Sequence, residues 1–323
     1  MHILLGVLLS AVVCFSVVSI PVAAAGVGTW MVTTSYPTTI YDQSCVVSGG
    51  YVYCVGGYTE SAYSSAVNFG SLSSSGVSTW KSTTSYPTGI AFQSCVVSGG
   101  YIYCVGGDTG VSPYVTSAVY FAPLSPGGVG SWTTTTSYPT TIYEQSCVVS
   151  GGYIYCIGGY TTSAVTSAVY FAPLSSSGVG SWVKTKSYPK TIYQESCVVS
   201  GGYVYCVGGW NGVSVFSVVY FAKLSSAGVG KWVKTTSYPT RIFVQSCVVN
   251  GGYIHCIAGW NPASKTGRVN TVYFASLSSG GVGSWVKTTS YPTPINDQSC
   301  AVSGSYIYCV GGTFTSAVYF ASV

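Results

Sequence analysis

Cys147-Val-Val-Ser-Gly-Gly-Tyr-Ile-Tyr-Cys156 is the stretch on which the fold turns. β-Branched and aromatic residues flank a Gly-Gly that can take the positive φ angles of a two-residue hairpin turn. With Gly151 and Gly152 as the turn, Ser150 pairs with Tyr153, Val149 with Ile154 and Val148 with Tyr155. Cys147 then falls opposite Cys156. That pair lands on a non-hydrogen-bonded site, where α-carbons approach to about 4.5 Å, close enough for a disulfide. The stretch recurs, nearly unchanged, at Cys45–Cys54, Cys95–Cys104, Cys197–Cys206, Cys247–Cys256 and Cys300–Cys309. The spacing closes in every copy, with Gly304-Ser305 as the last turn. Six disulfides are expected, each internal to one hairpin.

Between the hairpins lies a second pair of strand-like runs. One is Ser167–Leu174, matched by Ser65–Leu72, Ser117–Leu124, Ser217–Leu224, Thr271–Leu277 and Ser316–Val323; the other begins at Trp80, Trp132, Trp182, Trp232 or Trp285. Four short strands per unit, six times over, is the pattern of a repeat architecture. The units resemble kelch repeats, the blades of a β-propeller. The likeness rests on the glycine doublet closing the second strand (Gly56-Gly57, Gly106-Gly107, Gly158-Gly159, Gly208-Gly209, Ala258-Gly259, Gly311-Gly312). An aromatic in the third strand and the tryptophan opening the fourth complete it. Ala258 and a long third-to-fourth connection depart from the pattern. What the resemblance implies is an all-β fold: a six-bladed β-propeller of four-stranded antiparallel blades.

The C-terminal run, Thr315–Val323, is a third strand with no fourth strand after it. Gly26–Pro37 matches the fourth strands of the other units. The N-terminal strand is therefore expected to complete blade six and close the ring, leaving no open sheet edge at the seam. Residues 26–323 form the propeller in this reading. Residues 1–25 are apolar and end in Ala23-Ala24-Ala25, which fits a signal peptide cleaved before Gly26; an uncleaved membrane anchor is the alternative. Cleavage would remove Cys14, the thirteenth cysteine, and leave an even set suited to an oxidising compartment.

Mean hydropathy is +0.44 and 48% of residues are hydrophobic. Blades that bury both faces account for this better than a transmembrane β-barrel, whose strands alternate over about ten residues. Only 5% of residues are charged, and the net charge is +5. Nine of the eleven basic residues fall between Lys184 and Arg268. They are expected to form a solvated rim, with a polyanion-binding sector as the alternative, and nucleic acid is not an expected partner of an exported chain without a dense basic cluster.

The catalytic inventory is thin. Beyond residue 25 the single histidine is His255, at a hairpin position filled by tyrosine in the other copies, so no enzyme activity is expected. Asp42, Glu144 and Asp297 stand three residues before a hairpin's first cysteine, and Glu195 one residue later. As residues leading into innermost strands, they are expected at the mouth of the central channel, in two opposed pairs. Such oxygen groups suit a hard cation such as Ca2+, against the plainer reading of a hydrated polar mouth; no other cofactor is implied. The second-to-third strand connections vary most, and a constant scaffold under variable loops is how binding surfaces are built. Tyr58, Tyr160, Trp210-Asn211 and Trp260-Asn261 are candidates to stack on sugar rings or to cap the blades, with Lys265 and Arg268 marking blade five. The expected role is an exported or cell-surface module that binds a protein or a surface glycan. A matrix protein self-associating through its rims is the alternative, and an enzyme with its site at the channel mouth is third.

Overall fold

In the computed structural model, which describes residues 26–323, each cysteine-bounded stretch folds as the hairpin its sequence predicts. Gly151 and Gly152 take φ of 57° and 78°, the positive pair that a tight hairpin turn of matching twist requires. The register pairs Cys147 with Cys156, Val148 with Tyr155, Val149 with Ile154 and Ser150 with Tyr153. All six hairpins carry their disulfide, with α-carbons 4.0 Å apart. Residues 1–25, with the cleavage site and Cys14, lie outside the described residues.

Each hairpin is the inner half of an antiparallel sheet. In blade three, Ser146–Ser150 lies against the axis, then Tyr153–Ile157, then Val169–Ser175, with Val183–Lys184 outermost. The long third-to-fourth connection holds a further two-residue strand, Gly178–Val179, folded back on the third. It is anchored in the seam with blade two: the Val179 N–H donates to Thr135 Oγ1 at 2.8 Å. Six such sheets form a ring, a six-bladed β-propeller. The N-terminal strand completes the last of them, pairing Met31 with Phe320 and Val32 with Tyr319.

What joins one blade to the next repeats around the ring. The indole of Trp182 donates to Thr136 O at 3.1 Å and meets the ring of Tyr138 edge-on at 5.0 Å. Trp30 does the same across the closing seam, to Thr289 O at 3.3 Å and to Tyr291 at 4.9 Å. The tyrosine of every Ser-Tyr-Pro is thus a buried wedge between blades. Each seam has its own apolar core; that between blades three and four sets Val148, Tyr155 and Phe171 against Ile192, Val204 and Ala222. Second strands are covered on both faces, which is why they read as unbroken apolar runs. The outermost strands are two residues long and exposed, with Lys184, Lys234 and Lys287 on their edges, short and charged enough to discourage edge-to-edge pairing. His255 is buried in its hairpin and stacks on Phe274 at 5.8 Å.

Candidate functional site at the channel mouth and loop face

The six innermost strands line an axial channel of two characters. Toward the hairpin turns its wall is valine, Val148 and Val149 with their counterparts, around a space of about 350 Å³. Toward the opposite face, where the second-to-third loops open, a space of about 190 Å³ is walled by glutamine, serine and carboxylate side chains.

The polar half is held by a closed circuit of backbone hydrogen bonds. Asp42, Phe92, Glu144, Gln194, Val244 and Asp297 occupy one position in successive blades, and all have positive φ, from 49° to 61°. The N–H of each donates to the carbonyl of its counterpart in the preceding blade: Phe92 to Asp42, Glu144 to Phe92, Gln194 to Glu144, Val244 to Gln194, Asp297 to Val244, and Asp42 to Asp297, at 2.9–3.3 Å. Left-handed backbone at a non-glycine residue costs about 1–3 kcal/mol, most plainly for β-branched Val244. The circuit and the blades around it over-determine that conformation. No glycine marks these positions, so the sequence gives no sign of the ring.

One residue on, the side chain runs from the channel wall into the seam. Gln43, Gln93, Gln145, Gln245 and Gln298 are buried there, and each Nε2 donates to the carbonyl that ends the preceding blade's second strand, at 2.7–2.8 Å. Glu195 holds the sixth slot. Its Oε1 comes within 3.1 Å of where a Cβ on Gly158 would lie; Nε2 of Gln43, Gln93, Gln145 and Gln245 takes the same place, at 3.0–3.2 Å, against the matching glycines. An acceptor thus sits where the other seams have a donor. Neither carboxyl oxygen finds a partner among the described residues, and burial pushes the Glu195 pKa up to about 8. A carboxyl that keeps its proton there has a hydrogen to donate, as the glutamine amides of the other seams do.

The four carboxylates therefore do not form two opposed pairs. Asp42 and Asp297, on neighbouring blades, do meet: burial and then the Asp297 charge raise Asp42 well above the usual range. Burial lifts Asp297 to about 6, opposed by hydrogen bonds from Thr313, Asp42 and Asn296 and by the Arg268 charge. Glu144 accepts from Gln194 Nε2 instead of meeting Glu195, and burial raises it to about 8. Glu195 is turned into its seam. Among the described residues no three of His, Cys, Asp or Glu converge on a metal position.

Around the mouth the loop face carries an arc of touching rings. Tyr143 packs on Tyr160 at 5.4 Å, Tyr160 on Tyr193 at 5.6 Å, Tyr193 on Trp210 at 5.3 Å, Trp210 on Phe243 at 5.7 Å and Phe243 on Trp260 at 6.4 Å. Tyr58 leans on Tyr41 at 5.4 Å. Of the two expected roles, Tyr58, Tyr160, Trp210 and Trp260 take that of half-buried caps of their blades. Oδ1 of Asn211 accepts from the N–H groups of Val213 and Ser214, and that of Asn261 from Ala263, so both amides shape their own loops. Arg268 donates from Nε to Asn296 Oδ1 at 2.9 Å and lies 5.3 Å from the Phe314 ring centre, supporting the mouth; Lys265 is exposed. The most exposed apolar side chains on this face are others: Val213 is 89% exposed, Phe314 65%, Val111 64% and Tyr114 57%. Each sits on a loop whose equivalents differ, so no repeat pattern singled it out.

No protein-family model matches the chain, and no curated protein matches it in sequence. The solved structure of YjhT is similar over 88% of this chain and 94% of its own, with a TM-score of 0.72 and 12% sequence identity. The likeness is one of fold. Six disulfides in such a ring belong to an oxidising compartment.

Proposed function

We propose that the chain is an exported, disulfide-stapled propeller that acts as a non-enzymatic binding module at the cell surface or outside the cell, with kelch-like units as its scaffold. A protein or surface-glycan partner meets the loop face. One observation carries the reading: six seams are built alike, while the second-to-third loops differ in length and chemistry and present Tyr114, Val213 and Phe314 to solvent. Variation confined to one face of a rigid ring is the arrangement of a recognition surface. The bridges support export, and the Ala23-Ala24-Ala25 site supports cleavage before Gly26.

The test is binding of the purified, labelled protein to intact cells and to immobilised glycans. Tyr114→Ser, Val213→Ser and Phe314→Ser together should abolish that binding and leave the fold intact by circular dichroism. Undiminished binding by the triple variant would overturn the assignment to this face. Mass spectrometry with and without reductant should find a chain starting at Gly26 with six bridges.

A further inference from the structure

The basic residues do not spread into an even rim. Three of them converge on one groove, of about 430 Å³, along the outer flank of blade four. Lys190 comes from the loop entering the blade, Lys234 from its outermost strand and Arg241 from the loop leaving it. The floor is Phe216, whose ring centre lies 5.3 Å from Lys190 Nζ, with the hydroxyls of Ser217 and Tyr220 beside it. No carboxylate lines the groove. Glu195, the acidic residue nearest in sequence, is sealed in the seam behind. Arg241 also borders a second hollow of about 450 Å³ against the loop Asn261-Pro262-Ala263, so the two share one cation between them.

A repeat protein supplies its own controls. At the place of Lys190 every other blade has threonine: Thr38, Thr88, Thr140, Thr240 and Thr293. At the place of Arg241 the others have Thr39, Gly89, Thr141, Thr191 and Pro294. Phe216 stands where blades one, two, three and six have Ser64, Thr116, Thr166 and Thr315. The flank of blade three offers the same channel-to-rim geometry with one cation, Lys184. Three uncommon residues from three separated segments thus meet in one groove, and the fold requires none of them, since five blades are built without the set.

We propose that this groove binds an acidic saccharide, a short oligomer carrying sulfate or carboxylate groups, with Lys190, Lys234 and Arg241 on the anions and hydroxyls of the groove on the sugar. The second hollow past Arg241 takes the next unit of the oligomer. This site rests on the reading of the chain as an extracellular binding module and names one ligand class for it.

The experiment is calorimetric titration of the exported protein with a sulfated hexasaccharide, an oligogalacturonate, a neutral hexasaccharide of equal length and inorganic sulfate. Binding of one or both acidic oligomers, and not of the neutral one, is expected; the two acidic arms tell sulfate from carboxylate recognition. Sulfate binding as tightly as the oligomers would overturn the saccharide assignment. Lys190→Thr with Arg241→Thr, both residues that sister blades carry, should weaken binding about tenfold, as loss of two solvent-facing charge contacts does. Lys81→Thr with Lys287→Thr removes the same charge on blades one and five and should change affinity less than twofold. Equal losses from the two pairs would mean diffuse attraction and sink the site. Should the acidic oligomers fail while cell binding still depends on Tyr114, Val213 and Phe314, the groove is wrong and the binding-module reading stands; failure of both removes both.

Discussion

The seam between blades three and four shares its main contacts with the other five and differs from all of them in the side chain set beside one backbone carbonyl. Where five seams place a glutamine Nε2 on a backbone carbonyl, this one places the carboxyl of Glu195. Backbone, wedge tyrosine, tryptophan and serine contacts are otherwise the same. A single atom, oxygen for nitrogen, thus converts a seam indifferent to pH into one that depends on a proton. The difference teaches how a repeat ring tolerates variation: geometry is fixed by the many shared contacts, and chemistry can change at one without moving the rest.

The largest effect is expected from undoing that exchange. The Glu195 carboxyl has a folded pKa of about 8 against an ordinary 4.5. Between those values the folded chain holds a proton that the unfolded chain releases. The stabilising proton is fully counted below pH 4.5 and its contribution is lost as pH rises toward 8, a swing on the order of 3–5 kcal/mol. Glu195→Gln should match the parent in denaturant midpoint below pH 5 and exceed it progressively up to pH 9. Gln145→Glu should do the reverse, giving the seam between blades two and three the same alkaline weakness. Parallel pH profiles for parent and Glu195→Gln would mean that the carboxyl does not hold that proton in the folded chain.

Next in size is removal of a bridge, which tests what the seams have in common. Each disulfide closes a ten-residue loop, so Cys147→Ala with Cys156→Ala should cost about 2–3 kcal/mol by loop entropy. The matching pair in any other blade should cost the same, because register and α-carbon separation are the same in all six. Denaturation of the paired variants checks it; a bridge whose loss costs nothing would show that its hairpin is held by neighbouring blades alone.

Hairpins, bridges and ring closure were legible in the sequence because each depends on spacing within a short run: a nine-residue separation, a two-residue turn, a strand that matches others. The channel mouth was legible only in part. The residues of the left-handed circuit are Asp, Phe, Glu, Gln and Val, none of which announces positive φ, and that backbone sends the next side chain into the seam. Hence Asp42 and Glu195, one repeat position apart, face different surroundings although both were expected at the channel. The indoles of Trp210 and Trp260 were expected either to stack on sugars or to cap their blades, and the ring partners that decide for capping, Tyr193 and Phe243, come from a loop some seventeen residues away in sequence. The blade-four groove draws on segments at 190, 216 and 234–241, which only the fold brings together, though the departures from threonine were visible in the repeat alignment.

The smallest effect sharpens the contrast between a proton held in a seam and one held at the mouth. Asp42 keeps its proton beside Asp297, and an amide can donate in the same direction. Asp42→Asn should therefore change neutral-pH stability by less than about 1 kcal/mol, the worth of one exchanged hydrogen bond. It should leave the Asp297 pKa near 6, since Asp42 still holds its proton when Asp297 ionises and the amide donates in its place. Carboxyl NMR titration reads this directly. An Asp297 pKa that rises on the substitution would show that Asp42 stabilised the ionised Asp297 by more than an amide can, and that the mouth, unlike the Glu195 seam, needs a true acid.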